Sequence, residues 1–122
     1  MEMKVIDEAD GVTRVALEGR LDIAGAQVVD ARFQELAQTV RSLIVDLSNV
    51  TFIASLGVRT LMVGAKTMMR RGADMAVCGA DENVSKVLRS TGFNEIAGLY
   101  PDFASAAAVL KERRAEFDDR KA

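Results

Sequence analysis

The sequence contains no histidine and no tryptophan, and Cys78 is its only cysteine. Without histidine, Ser-His-Asp triads and zinc sites of the Cys/His type are excluded. A lone cysteine cannot form an internal disulfide, which fits a reducing compartment. Aromatic residues make up only 5% and the net charge is -2, so neither a base-stacking platform nor a basic nucleic-acid surface is expected.

Long apolar runs are also missing, and every apolar stretch is far shorter than the ~18 residues that span a bilayer. Residues 1–10 alternate charged and apolar side chains and contain no hydrophobic signal core. The sequence therefore predicts a cytoplasmic protein without membrane insertion.

Phosphate-binding and catalytic motifs are absent as well. No Gly-Lys-Ser/Thr ending of a Walker sequence occurs, and no Gly-x-Gly-x-x-Gly follows a predicted strand. The carboxylates nearest the predicted strand ends are Asp22, Asp46, Asp81 and Glu82, which we interpret as helix caps and turn formers. We expect no catalytic residue, no metal site and no cofactor, and thus a protein that is not an enzyme.

The pattern that is present is that of one α/β domain of 122 residues. Strands are predicted at residues 4–8, 12–18, 43–47 and 75–78, with a short edge strand at 96–99 and a turn at Asp10-Gly11. Helices are predicted after Asp22, around residues 58–69, after Asp81 and after Pro101-Asp102. This order predicts a mixed sheet of four to five strands, an N-terminal hairpin followed by βαβ units, with about four helices.

The segment 51–57 is unusually apolar for the loop that we expect there. Ser55 lies at the predicted start of the second helix. It can act only as the N-cap, or the helix start can be a docking or modification point, because a phosphate there meets free N–H groups. The residues alone leave both interpretations open.

Three segments resemble STAS domains, the family named after sulfate transporters and anti-sigma factor antagonists. The segment 17–22 is similar to the family's Gly-x-Leu-Asp turn, and 43–47 followed by 52–57 resembles its hydrophobic strand and phosphoserine loop. Residues 72–78, followed by Val84, Leu88 and Gly92-Phe93, resemble its later half. The resemblance covers residues 3–111, which we take as the domain, and leaves 112–122 as a charged C-terminal tail.

The resemblance implies an anti-sigma factor antagonist that regulates sigma-dependent transcription. The implied partner is an anti-sigma factor that is a serine kinase with a histidine-kinase-like ATPase fold, with a PP2C-type phosphatase reversing phosphorylation. The family loop commonly reads Asp-Ser-Ser-Gly with the second serine as acceptor, whereas this chain has Ala54, Ser55, Leu56 and Gly57. The acceptor position therefore holds Leu56, and Ser55 is the remaining phosphoacceptor candidate.

The second helix adds two stripes to the expected partner surface. Leu56, Thr60, Val63 and Thr67 form a semi-apolar stripe that we expect to be exposed, and Arg59, Lys66 and Arg70 form a basic stripe that is either a solvated face or a contact to an acidic partner. The full set of predicted partner-binding residues is Asp22, Ile23, Ala54, Ser55, Leu56, Gly57, Arg59, Thr60 and Val63.

Two other functions stay open from the sequence. One is a STAS accessory subunit that braces the ATPase of an ABC-type lipid transport system, which would be distinguished by the partner that co-purifies with it. The other is a small nucleotide-binding or catalytic domain, which would show nucleotide affinity in a pure sample.

Overall fold

The structure, a computed structural model, describes residues 1–8 and 11–121, with side-chain surroundings described as far as Glu116. The strands are β1 (Glu2–Asp7), β2 (Thr13–Leu21), β3 (Ser42–Ile53), β4 (Asp74–Cys78) and β5 (Gly98–Tyr100). The helices are α1 (Ile23–Thr39), α2 (Ser55–Arg70), α3 (Glu82–Ser90) and α4 (Phe103–Lys121). A 3-10 turn at Phe93–Glu95 precedes β5.

The five strands form one mixed sheet in the order β1-β2-β3-β4-β5. β1 pairs with β2 in antiparallel fashion, and the other three pairs are parallel. The predicted α/β fold with an N-terminal hairpin is therefore confirmed. Asp10 of the predicted turn lies outside the described residues, whereas Gly11 has the positive φ of 77° that a tight turn needs.

The two faces of the sheet have different covers. The strands β2 to β5 follow one another in sequence order across the sheet. Because parallel strand–helix–strand connections are right-handed, the connecting helices α1, α2 and α3 all lie on one face. Their core includes Val15, Leu47 and Leu61, all fully buried. On the other face α4 packs against Ile44 and Cys78.

Several element boundaries differ from the prediction, and β2 itself continues from the predicted residue 18 to Leu21. The strand predicted at 43–47 continues to Ile53, and α2 begins at Ser55, so the loop expected at 51–57 is wrong except at Ala54. Backbone pairing of Arg20 with Phe52 and of Leu21 with Ile53 holds this extension in the sheet. The edge strand lies at Gly98–Tyr100 rather than 96–99, because the 3-10 turn reaches Glu95. The charged segment after residue 111 continues α4 as far as Lys121.

Candidate docking site

The carboxyl ends of β2 and β3 bring two predicted site segments side by side. The backbone N–H of Ala54 donates to the carbonyl oxygen of Leu21 over 3.0 Å. This bond joins the turn that carries Asp22 and Ile23 to the start of α2, which carries Ser55. In parallel α/β sheets, ligands and partners collect at this edge. The structure thus brings these two segments together at one end of the sheet.

Asp22 caps α1, as its position in the sequence predicted. Its carboxylate accepts a hydrogen bond of 2.8 Å from the backbone N–H of Gly25. That bond, together with Arg20, whose Nε lies 3.5 Å from the carboxylate, holds the pKa of Asp22 below its ordinary value. Arg20 also stacks over the ring of Phe52 at 4.4 Å. The turn therefore presents a fixed negative charge beside a cation and an aromatic ring.

The start of α2 differs from the prediction by one residue. The N-cap is Ala54, which supplies no side-chain cap, and Ser55 is the first helical residue. Ser55 is therefore not the N-cap, because the backbone leaves the extended conformation only after Ala54. Its side chain is exposed, whereas that of Leu56 is half-buried. The two side chains thus face different surroundings, as the ~100° step between successive helical residues requires.

Two of the predicted contact residues present little surface because they are buried. Thr60 is only 4% exposed, because α1 packs over it and Gln34 Nε2 donates to its carbonyl oxygen over 2.9 Å. The semi-apolar stripe is therefore interrupted at Thr60. Gly57 is buried against β2, and a Cβ there would lie 2.5 Å from the carbonyl oxygen of Leu21. Gly57 is a packing residue that lets α2 approach the end of β2.

The remaining side chains border a groove between α1 and α2. The groove has a volume of about 610 Å³, and Leu56, Arg59, Thr60 and Val63 line it on the α2 side. Val63 is 44% exposed, and Ile23 at the start of α1 is 62% exposed. Sequence reasoning missed the α1 side, which Ala26, Gln27, Asp30, Ala31 and Gln34 form. The polar residues Gln27, Asp30 and Gln34, which lie away from the apolar side of α1, were the available signal.

A second polar cluster lies on the α4 face of the sheet, away from this groove. Asp46 is 6% exposed, pairs with Arg14, and accepts a hydrogen bond of 2.9 Å from the backbone N–H of Ser48. The interpretation of Asp46 as a turn former is thus incomplete, since it also forms a cross-strand ion pair. The guanidinium of Arg14 in turn stacks over Phe103 of α4 at 4.7 Å.

Burial alone would raise the pKa of Asp46, but the hydrogen bonds from Ser48 and the charge of Arg14 bring its pKa below the ordinary value. The hydrogen bond to Asp46 correspondingly raises the pKa of Arg14. Both groups therefore stay charged at neutral pH, and the pair joins β2, β3 and α4.

Within the part of the chain that the structure describes, no three Cys, Asp or Glu side chains cluster closely enough to hold a metal ion. Over the same residues, no helix is both long and apolar enough to cross a bilayer. The described residues bring together the exposed hydroxyl of Ser55, the carboxylate of Asp22 that caps α1, and a partly apolar groove. This arrangement can bind a protein surface.

Comparison with known proteins identifies the family. A family model described as the STAS domain matches residues 3–106. The chain belongs to the STAS domain family. The resemblance inferred from the three sequence segments is thereby confirmed.

Individual STAS relatives share the length of this chain. It is 28% identical over 110 residues to BtrV of Bordetella bronchiseptica, a candidate anti-sigma factor antagonist, covering 87% of this chain and 92% of that protein. It is 27% identical over 103 residues to the anti-sigma F factor antagonist of Paenibacillus polymyxa, covering 83% and 88%. The crystal structure of an anti-sigma factor antagonist from Mycobacterium paratuberculosis superposes with a TM-score of 0.81 at 23% identity, over 90% of this chain and 93% of that one.

Proposed function

We propose that this STAS domain is an anti-sigma factor antagonist, which binds an anti-sigma factor and so releases a sigma factor for transcription. The observation that carries the proposal is the junction of the two turns: the Ala54–Leu21 hydrogen bond places Asp22 and Ser55 next to an open groove. Two relatives of matching length are named as antagonists, which supports the same role here. The proposed contact residues are Asp22, Ile23, Ala54, Ser55, Leu56, Arg59 and Val63.

The partner we propose is an anti-sigma factor of the serine kinase type. Its surface would cover the exposed side chains of Ile23 and Val63 and insert into the groove beside Leu56. Burying apolar side chains of this size supplies association free energy without any chemical step. The protein would act by occupying the anti-sigma factor, in agreement with the absence of catalytic motifs in its sequence.

We further propose that the phosphorylation switch is weakened in this chain. The hydroxyl that the family loop carries at its second serine is replaced by the side chain of Leu56, which is half-buried beside the groove. Ser55 is exposed but lies one residue earlier, so its hydroxyl points elsewhere. A dianion added in an apolar interface disfavours binding, so phosphorylation at Leu56→Ser would release the partner.

The test begins with affinity purification from the native cell and mass spectrometry, followed by calorimetry with the recombinant anti-sigma factor found there. Leu56→Lys and Val63→Lys should each weaken binding by ~2 kcal/mol or more, about 30-fold, because they place a charge in the contact. Ile6→Lys is the matched control, since Ile6 is 42% exposed on β1, away from the groove. Equal binding by all variants, or capture of an ABC transporter ATPase in place of an anti-sigma factor, would contradict the proposal.

To test the phosphorylation switch, the chain is incubated with the recombinant anti-sigma factor kinase and ATP, and phosphate incorporation is measured by intact-mass spectrometry. The native chain should be modified slowly or not at all, and Leu56→Ser should raise the rate strongly. Ser55→Ala in the Leu56→Ser background separates the two hydroxyls. Rapid stoichiometric modification of native Ser55 would refute the weakened switch and leave the antagonist proposal standing.

A further inference from the structure

The exposed face of α2 carries charge of one sign. Arg59, Lys66 and Arg70 are its charged residues, and α2 contains no Asp or Glu, although the whole chain has a net charge of -2. Spaced at i, i+7 and i+11, the three side chains share one face of the helix and all are exposed. We call these three residues the basic ridge.

Among the described residues the basic ridge forms no ion pair, although Asp30 lines the same groove as Arg59. For comparison, Lys4 pairs with Glu18 and Lys86 pairs with Glu82. Among the described side chains, no carboxylate lies within ion-pair distance of the basic ridge. Lys66 and Arg70 are one turn apart, a spacing at which like charges destabilise a helix. The isolated domain thus retains an unfavourable arrangement that an external anion would relieve.

The basic ridge is continuous with the proposed docking site and has apolar neighbours. Its first member, Arg59, lines the groove, and Lys66 and Arg70 follow further along the same helix. Val63 and Met69 are 44% and 57% exposed beside it. Methionine and arginine are enriched in protein interfaces, where apolar contacts and charge complementarity combine.

We propose that the partner seated on the docking site carries an acidic surface that lies along the basic ridge. This inference rests on the proposed function and specifies the chemistry of its partner. The ridge would attract the acidic surface at a distance, and thereby accelerate association, and would pair with its carboxylates in the complex. The contact area would then extend from the start of α2 to its last turn.

The first experiment tests the acidic specificity without the anti-sigma factor. The isotope-labelled chain is titrated with a polyglutamate decapeptide and followed by amide NMR. We expect shifts concentrated on residues 59–70, and their loss in Lys66→Gln/Arg70→Gln. The control, Arg32→Gln/Arg89→Gln, removes the same charge from exposed positions on α1 and α3 and should keep the shifts. Shifts spread evenly over all surface cations would overturn the proposal.

The second experiment measures association with the recombinant anti-sigma factor by stopped flow at low and high salt. Lys66→Gln/Arg70→Gln should lower the association rate about tenfold at low salt and flatten its salt dependence, because steering falls with screening. The control pair should behave as the native chain does. Equal rates for the native chain and both variants would overturn the proposal.

The outcomes separate the two proposals. If the native chain binds no anti-sigma factor, the proposed function fails, whereas the polyglutamate titration still decides whether the ridge recognises acidic protein. Sedimentation with phosphatidylglycerol vesicles provides a further test. Binding to vesicles that Lys66→Gln/Arg70→Gln abolishes, without polyglutamate shifts on α2, would assign the ridge to a lipid surface and overturn the acidic-protein partner.

Discussion

Neutralising Asp46 should destabilise the fold more than removing an exposed ion pair such as Lys4–Glu18. Asp46 is 6% exposed, forms an ion pair with Arg14 and accepts a hydrogen bond from the backbone N–H of Ser48. Asp46→Asn keeps the shape of the side chain and removes its charge, so the guanidinium of Arg14 loses its partner on the α4 face. Among the described residues, Arg14 would retain its stack on Phe103 and its contact with Glu8.

The magnitude follows from the exposure of the two groups. Removing one partner of a fully buried ion pair costs about 3–5 kcal/mol. The side chain of Arg14 is 31% exposed, so water rehydrates part of the guanidinium and reduces that cost. Losing a charged hydrogen bond costs about 1.5–3 kcal/mol. We expect Asp46→Asn to lower the free energy of unfolding by about 2 kcal/mol.

The assay is urea unfolding followed by circular dichroism, since the chain has no tryptophan. Arg14→Gln, Asp46→Asn and the double variant form a cycle whose coupling energy should exceed 1 kcal/mol, within the ~0.5–3 kcal/mol range of contacting residues. The control cycle is Lys4→Gln with Glu18→Gln, a pair on exposed ends with 61% and 34% side-chain exposure, which should couple by less than ~0.5 kcal/mol. Equal coupling in both cycles would refute the reasoning.

Three further predictions follow from single groups. The pKa of Asp46 is lower in the folded state, so its ionised form stabilises the fold above its unfolded pKa, and this stabilisation is lost as pH falls through the folded pKa. In Asp46→Asn, the free energy of unfolding should therefore fall less steeply with decreasing pH on the acid side of a stability–pH curve. Gly57→Ala should destabilise the fold by about 2 kcal/mol and weaken partner binding, because the added Cβ would lie 2.5 Å from a backbone oxygen of Leu21 and must displace α2; unchanged unfolding and calorimetry would contradict this. Burial raises the pKa of Cys78 to about 12, so its thiol should react with iodoacetamide only after unfolding, and modification of the native chain by mass spectrometry would contradict its burial.

Local patterns in the sequence were sufficient for most of the fold. Asp22 and Asp81 cap α1 and α3 as predicted, because a cap bonds to an N–H only three residues away. Apolar residues at helical spacing, including Val29 and Phe33, form the buried side of α1. These interactions join close neighbours in the chain, so their geometry follows from the order of residues.

The candidate site was predicted only in part. The sequence placed Asp22 and Ser55 near each other, because consecutive parallel strands end at the same edge of a sheet. It did not reveal that Thr60 is buried, because only the packing of α1 against α2 covers it. The α1 side of the groove was missed for the same reason. Whether these sites bind a partner stays a prediction.

The sequence by itself determined the elements, their order, the caps of α1 and α3 and the resemblance to STAS domains, since each depends on residues a few positions apart. Only the tertiary structure decided the length of β3, the burial of Thr60 and the pairing of Arg14 with Asp46, 32 residues later in the chain. Such contacts depend on strand register and helix packing, and a shift of one residue in register would turn a strand's side chains to the opposite face of the sheet.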